Sequence, residues 1–383
     1  MAVNLGMIGL GWFSNLIARS VLEKGAGRMG VTAACDVNLE KLRDFKDRFH
    51  VKKTYNNPDD LISDENVDIV IIATPPYLHS SLAKKALLAG KHVFLEKPGA
   101  LRPEELDELI EIAREKNLKT TIDYVMRRNP LYLIMKKICD AKPFGLLERA
   151  DLENYAHDDH MPPQHWFWDY SKSGGIWVEH GVHFFDLINW LIGPPREVKA
   201  VNVKRSGENL TDRVMGFALH EDDALVTYYH GFTKPEPFEK TTFYFTFERA
   251  YVEVYGWIPV RVVIDALTTS EAEEFMKGQV MEEARKFLPG IDVELSVEKI
   301  AEYEEGCDVF SGRGKRFKAS SRTRFEYTIK QDRWEVYRAC VMRAISDLVD
   351  AVEGVKTSPT VTLIDARRSL EIACKMEGQS LQY

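Results

Sequence analysis

"VNLGMIGLGWFSNLIARSVLEKG", residues 3–25, is the stretch on which the reading of the fold turns. It opens with a short apolar run suited to a strand buried on both faces, and from Phe13 onward its apolar residues recur at helical spacing. Between the two, Gly9 and Gly11 fit the pattern G-x-G-x-x-G with Ser14 in the third place. Gly9 permits a tight turn, and Gly11 removes a Cβ where backbone must approach a pyrophosphate. The helix start around Trp12 and Phe13 then offers main-chain N–H groups to that anion. Ordinary turn glycines are the plain alternative. The strand before and the helix after favour a nucleotide loop.

The alternation continues through residue 125. "VTAACD" (31–36), "VDIVIIAT" (67–74), "KHVFLEKP" (91–98) and "KTTIDYV" (119–125) read as further strands, with amphipathic helices between them. Strands alternating with helices imply a parallel sheet covered on both faces, hence an α/β, doubly wound first domain over 1–125. Asp36 ends the second strand, where a carboxylate can bond a ribose diol and would repel a 2′-phosphate. That favours NAD over NADP; a loop cap is the alternative reading. Thr74, Pro75 and His79 follow the next strand, and Glu96 and Lys97 the one after, all at carboxyl ends where such sheets bind ligands. His79 could equally cap the helix it begins.

From 126 the rhythm changes to extended segments. In "TTFYFTFERA" (241–250), Phe243, Phe245 and Phe247 alternate with Tyr244, Thr246 and Glu248, the period of a sheet with one buried face. We expect a second α/β domain over 126–383 built on a large, mainly antiparallel open sheet. Residues 267–320 read as a charged insertion or lid, and helices over 331–380 as packing back near the first domain.

Bulk properties limit the function. Of the 383 residues 45% are hydrophobic and 29% charged, and the formal charge is −8. These values are ordinary for a globular chain and argue against a nucleic-acid binder, which needs a basic footprint. No apolar run approaches the ~20 residues that span a bilayer, so neither nucleic acid nor membrane is an expected partner, and cytoplasm is the expected compartment. Cys35, Cys139, Cys307, Cys340 and Cys374 form no CxxC pair and are expected to be free thiols.

"GGIWVEHGVHFFDLINWLIG" (174–193) places Glu179, His180, His183 and Asp186 in an otherwise apolar helix. The 179/183/186 spacing puts three of them on one helical face. A carboxylate beside an imidazole orients it and raises its basicity, which suits proton transfer near neutral pH. A core histidine with acidic neighbours is one alternative. A metal site drawn from Glu179, His180, His183 and "HDDH" (157–160) is another, but its spacing matches no zinc pattern, and no metal is expected.

The ordered set G-x-G, "ATPPYLH" (73–79), "EKP" (96–98), "RRNP" (127–130) and GG followed by E-x-x-x-H-x-x-D resembles the Gfo/Idh/MocA family of sugar and polyol oxidoreductases. The resemblance covers the first domain, the 174–193 helix and the C-terminal helices. It implies an NAD-dependent dehydrogenase acting on a sugar, cyclic polyol or derivative. Lys97 would touch the nicotinamide ribose and the reacting hydroxyl, His183 would accept and donate the proton, and Glu179 would replace the usual aspartate. Arg127, His157, Trp166, Glu179, His180 and Asp186 are the substrate candidates, with His165 and Trp168 also in the aromatic tract. Pro76 replaces a common asparagine. The family also implies a homodimer or homotetramer through the open sheet. An NAD-dependent glycoside hydrolase using transient oxidation, or a nucleotide-binding regulator without turnover, are the rival functions.

Overall fold

In the computed structural model, which describes residues 2–25, 27–205, 207–208, 210–304, 309–312, 314–378 and 381–382, the first 125 residues form one parallel sheet. Its strands are β1 (Val3–Ile8), β2 (Met29–Cys35), β3 (Lys53–Tyr55), β4 (Ile69–Ile72), β5 (His92–Leu95) and β6 (Thr120–Ile122), in the order β3-β2-β1-β4-β5-β6. Helices α1 (Trp12–Lys24), α2 (Leu39–Phe49), α3 (Pro58–Ile62), α4 (His79–Leu88) and α5 (Pro103–Glu115) connect them. Ile69 to Ile72 have no exposed surface, as a strand covered on both faces requires, and each contributes roughly 1.5–3 kcal/mol of hydrophobic stabilisation. Start signals act locally: the Asn38 side chain accepts the N–H groups of Glu40 and Lys41 at the head of α2, and Glu105 accepts those of Leu101 and Arg102 at the head of α5. Strand order reverses between β1 and β4, so a crevice opens at their carboxyl ends.

The chain divides into two compact units, and here the structure corrects the expectation of one continuous second domain. The first unit is Met1–Val125 together with Met161–Asp186 and Cys340–Gly378; the second is Met126–His160, Leu187–Ala339 and Gln379–Tyr383. The sheet domain therefore recruits the segment carrying Glu179 and His183, and it also takes up C-terminal helical residues. The reason is burial: helix Leu363–Gly378 lays its apolar face on α5 and β6, Thr121 Oγ1 donates to the Val361 carbonyl at 2.8 Å, and Arg28 binds both Asp350 and Glu353.

The second unit is built on a ten-stranded sheet. Its members are β7 (Leu147–His157), β8 (Glu197–Lys204), β9 (Thr211–Leu219), β10 (Leu225–Lys234), β11 (Lys240–Phe247), β12 (Ala250–Tyr255), β13 (Arg261–Thr268), β14 (Val293–Glu302), β17 (Ser321–Ile329) and β18 (Leu381–Gln382). A separate hairpin is formed by β15 (Val309–Gly312) and β16 (Lys315–Lys318). Pairing is antiparallel except between β10 and β7 and between β18 and β8. Phe243, Phe245 and Phe247 are buried and Tyr244 is exposed, as the alternation requires.

Residues 267–320 are not an appended lid over their described part. Strand β14 pairs with β17 along nine positions and extends the sheet to its edge. The buried Glu273 carboxylate is locked by Thr268, Ser321, Thr323 and Lys277. Burial pushes that carboxyl up, and the bonds from Lys277, Ser321 and Thr323 reverse the effect and hold it down at about 2. Burial raises the thiols of Cys35 and Cys139 to about 12, so they are unreactive at neutral pH. Cys307 lies outside the described residues. Among the described residues no helix is long and apolar enough to cross a membrane, and no group of His, Cys, Asp or Glu is placed to hold a metal ion.

Candidate active site

The glycine turn after β1 is a close approach between strands. Gly9 has φ +86°, and a Cβ there would meet the Ala73 carbonyl oxygen at 2.6 Å, so both backbone and space demand glycine. Gly11 differs: a Cβ there meets no described protein atom within 4 Å, so the protein's own packing does not require this glycine. Gly11 is the N-cap of α1 and leaves open space above the helix start, room for a ligand to approach the backbone. Ser14 is fully buried and its hydroxyl donates to the Gly9 carbonyl, which explains a serine in the third motif place.

Asp36 answers both readings at once. Its carboxylate accepts the Leu10 N–H at 2.8 Å and the Asn38 N–H at 2.8 Å, tying the glycine turn to the end of β2. It also lines a cleft of about 610 Å³ together with Gly9, Gly11, Val37, Lys41, Thr74, Pro75 and Tyr77. Carboxylate oxygens with two lone pairs each retain capacity for a diol beside those two bonds. Thr74 Oγ1 is buried in the cleft wall with no bonding partner among the described residues. An apolar cleft with a glycine rim, a helix N-terminus, a carboxylate and an unused hydroxyl fits a dinucleotide.

Two further candidates, His79 and Trp166, are fixed by their neighbours. His79 is buried, and its ring nitrogens lie 2.6 Å from the Pro98 carbonyl oxygen and 2.7 Å from that of Thr74. A neutral imidazole can donate to only one of these two oxygens, and through it His79 braces the loops after β4 and β5. Burial lowers its pKa despite those acceptors. Trp166, read as a substrate wall, lines the cleft beside the glycine turn. The turn Trp166–Trp168 is closed on itself by the Trp168 indole N–H donating to the Met161 carbonyl at 2.8 Å. Pro76 is buried at the start of a short 3-10 turn.

Across 82 residues of sequence, the Lys97 ammonium donates to Glu179 Oε1 at 2.8 Å and to the Glu179 carbonyl at 3.0 Å. The two side chains are only 14% and 11% exposed, so the pair is weakly screened. Glu179 sits in a π-helical turn, Trp177–Gly181, that precedes the α-helix Val182–Ile192; a regular helix was expected throughout. Trp177 and Phe185 stack with centroids 5.8 Å apart, and a Cβ on Gly181 would approach both rings, so large apolar groups and one glycine shape the wide turn. Such turns recur at functional sites. Gly174 and Gly175, with φ +76° and +86°, make the sharp entry to it.

Electrostatics separate acid from base. Burial alone would lower the Lys97 pKa, but the Glu179 charge, joined by that of Glu96 once its carboxyl is ionised, more than reverses this and holds it raised. Burial, then the Lys97 charge, lowers His180 to about 3 and His183 well below the ordinary imidazole value. His165 is lowered by burial against the opposing Glu179 charge. Near neutral pH the site thus holds an ammonium beside neutral imidazoles. His183 stands edge-on to Tyr124, with centroids 6.0 Å apart, and His180 lies 5.5 Å from Phe184. Asp186 has no exposed surface.

Arg127 and His157 belong to the second unit. There the Arg127 guanidinium lies 6.0 Å from the Trp190 ring centroid, and His157 faces Glu239 at 3.6 Å and Asp159 at 3.8 Å. The sequence reading missed Asp123 and Tyr124 at the end of β6, and Tyr77 and Lys41 in the cleft. The rule that ligands gather at carboxyl strand ends would have flagged the first two.

Fold and site define a Rossmann-type nucleotide-binding protein with an acid–base cluster at the strand ends. A family model described as "Oxidoreductase family, NAD-binding Rossmann fold" matches residues 3–124, and one described as "GFO/IDH/MocA C-terminal domain" matches 132–256. The chain belongs to the GFO/IDH/MocA oxidoreductase family. It is 31% identical over 227 residues to a myo-inositol 2-dehydrogenase of Thermotoga maritima, covering 58% of this chain and 64% of that protein. It is 29% identical over 143 residues to a scyllo-inositol 2-dehydrogenase (NAD+) of Bacillus subtilis, covering 37% and 40%. The first curated relatives are thus matched over about half of their length, 53% and 64% for two of them. Solved structures share the fold at low identity. A levoglucosan dehydrogenase in complex with NADH and levoglucosan has TM-score 0.76 at 17% identity, with 99% of this chain and 97% of that one covered. The WlbA dehydrogenase of Bordetella pertussis, in complex with NADH and UDP-GlcNAcA, has TM-score 0.76 at 17% identity, with 99% and 95% covered.

Proposed function

We propose that the protein is an NAD-dependent dehydrogenase acting on a secondary alcohol of a sugar, cyclic polyol or sugar derivative. The observation that carries this reading is the buried Lys97–Glu179 pair beside a neutral His183, in the unit that also holds the nucleotide cleft. The names of the inositol dehydrogenases among its relatives support the substrate class. The Gly9–Phe13 turn and the start of α1 would hold the diphosphate, Asp36 the ribose diol, and Thr74 and Pro75 the cleft wall. When bound, the oxidised nicotinamide supplies a hydride acceptor.

The chain's own groups supply the rest. Lys97 donates to the substrate oxygen and stabilises charge that develops there, which counts for more in a site that excludes water. Glu179 keeps Lys97 charged and aimed. His183, neutral because it is buried beside Lys97, takes the hydroxyl proton on a ring nitrogen. An imidazolium next to an ammonium is unfavourable, which drives the proton onward to solvent. In the reverse direction His183 returns a proton to the oxygen.

We extend the reading to NAD over NADP, a cytoplasmic location and a homo-oligomer. Strand register puts the exposed Met215, Phe217, Tyr244 and Tyr251 on one face of the large sheet, an apolar surface that a second copy would cover. Incubation with NAD and a panel of inositols, aldoses and glycosides tests the activity. Growth of NADH absorbance is the expected result. Sugar release without net NADH would indicate a hydrolase, and tight nucleotide binding with neither would indicate a regulator.

A further inference from the structure

Around Lys97 the carboxylates outnumber the cations. Glu96 follows β5, Asp123 follows β6 and donates its N–H to the Leu95 carbonyl at 3.0 Å, which sets it beside Glu96, and Glu179 comes from the π turn. Among the described residues the Lys97 ammonium donates to Glu179, at 2.8 and 3.0 Å, and not to Glu96. Glu96 Oε2 is buried with no bonding partner among the described residues, and Asp123 is 1% exposed. The imidazoles nearby, His79, His180 and His183, are all pushed toward the neutral form by burial and add no positive charge.

We propose that Glu96 is a proton-holding residue: protonated in the nucleotide-free protein, it loses its proton when the positively charged oxidised nicotinamide binds, and it keeps that proton when the reduced, uncharged ring binds. This rests on the nucleotide-binding reading above. A carboxyl placed beside two other carboxylates and removed from water favours its neutral form. Burial is the main cause here and the Asp123 and Glu179 charges add to it, against Lys97 and its main-chain N–H, leaving the Glu96 carboxyl at about 8. A cation arriving at the end of β5 tips that balance toward the carboxylate. Desolvation by the ligand is common to both redox forms, whereas the ring charge is not. The two forms therefore differ in the protons they release.

Calorimetric titration of the full chain with NAD and with NADH, at pH about 7 in two buffers of different protonation enthalpy, reads that difference directly. The expected result is release of a large fraction of one proton with NAD and essentially none with NADH. Correspondingly, the Kd for NAD should tighten by up to about tenfold per pH unit as pH rises toward about 8, and then level off. Glu96→Gln should abolish the difference between the nucleotides, and Asp123→Asn should move the levelling to lower pH while keeping it. Equal proton release by NAD and NADH, or a difference that survives Glu96→Gln, would overturn the proposal while leaving the cofactor reading intact. Failure of either nucleotide to bind would defeat the cofactor reading itself, and the proposal with it.

Discussion

Replacing Glu179 with glutamine removes one charge and keeps much of the geometry, because the amide oxygen and the main-chain carbonyl can still accept from Lys97. Two unit charges 2.8 Å apart attract by about 6 kcal/mol at an effective dielectric of ~20. Much of this returns because the carboxylate no longer has to be desolvated, leaving a net loss on the order of 1–3 kcal/mol. If Lys97 stabilises the substrate oxygen, kcat/KM should fall by one to two decades at neutral pH. The pH profile is the sharper readout. With Glu179 neutral, burial regains its pull on Lys97, its pKa falls, and the ammonium is lost at a lower pH. The alkaline limb of kcat/KM should therefore move toward neutrality. The same sign governs stability: the pair's contribution is complete below the ordinary lysine value of 10.5 and is lost as pH rises through the raised folded value, so the variant is less stable at neutral pH. NADH formation measured across pH with the best substrate of the panel, together with thermal unfolding, checks both. An alkaline limb and a kcat/KM unchanged from wild type would refute the role given to this pair.

Three further outcomes follow from the same geometry. His183→Ala should lower kcat by about 10²–10⁴-fold with the Kd for NAD nearly unchanged, and because burial and Lys97 depress His183, the wild-type acid limb should lie below about pH 6.5; stopped-flow turnover and nucleotide titration report these. Asp36→Ala releases the Leu10 and Asn38 N–H groups and should weaken NAD binding while improving NADP relative to it, measured as the ratio of the two Kd values. Gly9→Ala forces a Cβ to 2.6 Å from the Ala73 oxygen at φ +86° and should cost roughly 2–4 kcal/mol, seen as a Tm lowered by about 5–10 °C and loss of NAD binding.

The parallel sheet was legible because its signals are local. Strand and helix periods and the glycine turn at position 9 each act within a few residues. Lys97, Glu179 and His183 were legible as individual candidates for a related reason: an ionisable group in an apolar run stands out from its neighbours. The edge strand β14 was not legible, since its ten residues, Val293 to Glu302, are mostly exposed and acquire strand character only by pairing with β17. Domain membership of 161–186 escaped for the same reason, being settled by which surface that segment covers, whereas the helices over 331–380 were expected beside the first domain and residues 340–378 group with it.

Residue types and their order along the chain thus determined the class of fold, the nucleotide loop and the inventory of acids and bases. Tertiary structure alone decided their states and partners. It brought Lys97 to Glu179 across 82 residues, set His79 between two loops, placed Trp166 at the cleft beside the glycine turn and opened the π turn. It also left Glu96 with an unused oxygen beside Asp123. Protonation and bonding depend on desolvation and on charges a few ångströms away, and those distances exist only once the chain is packed.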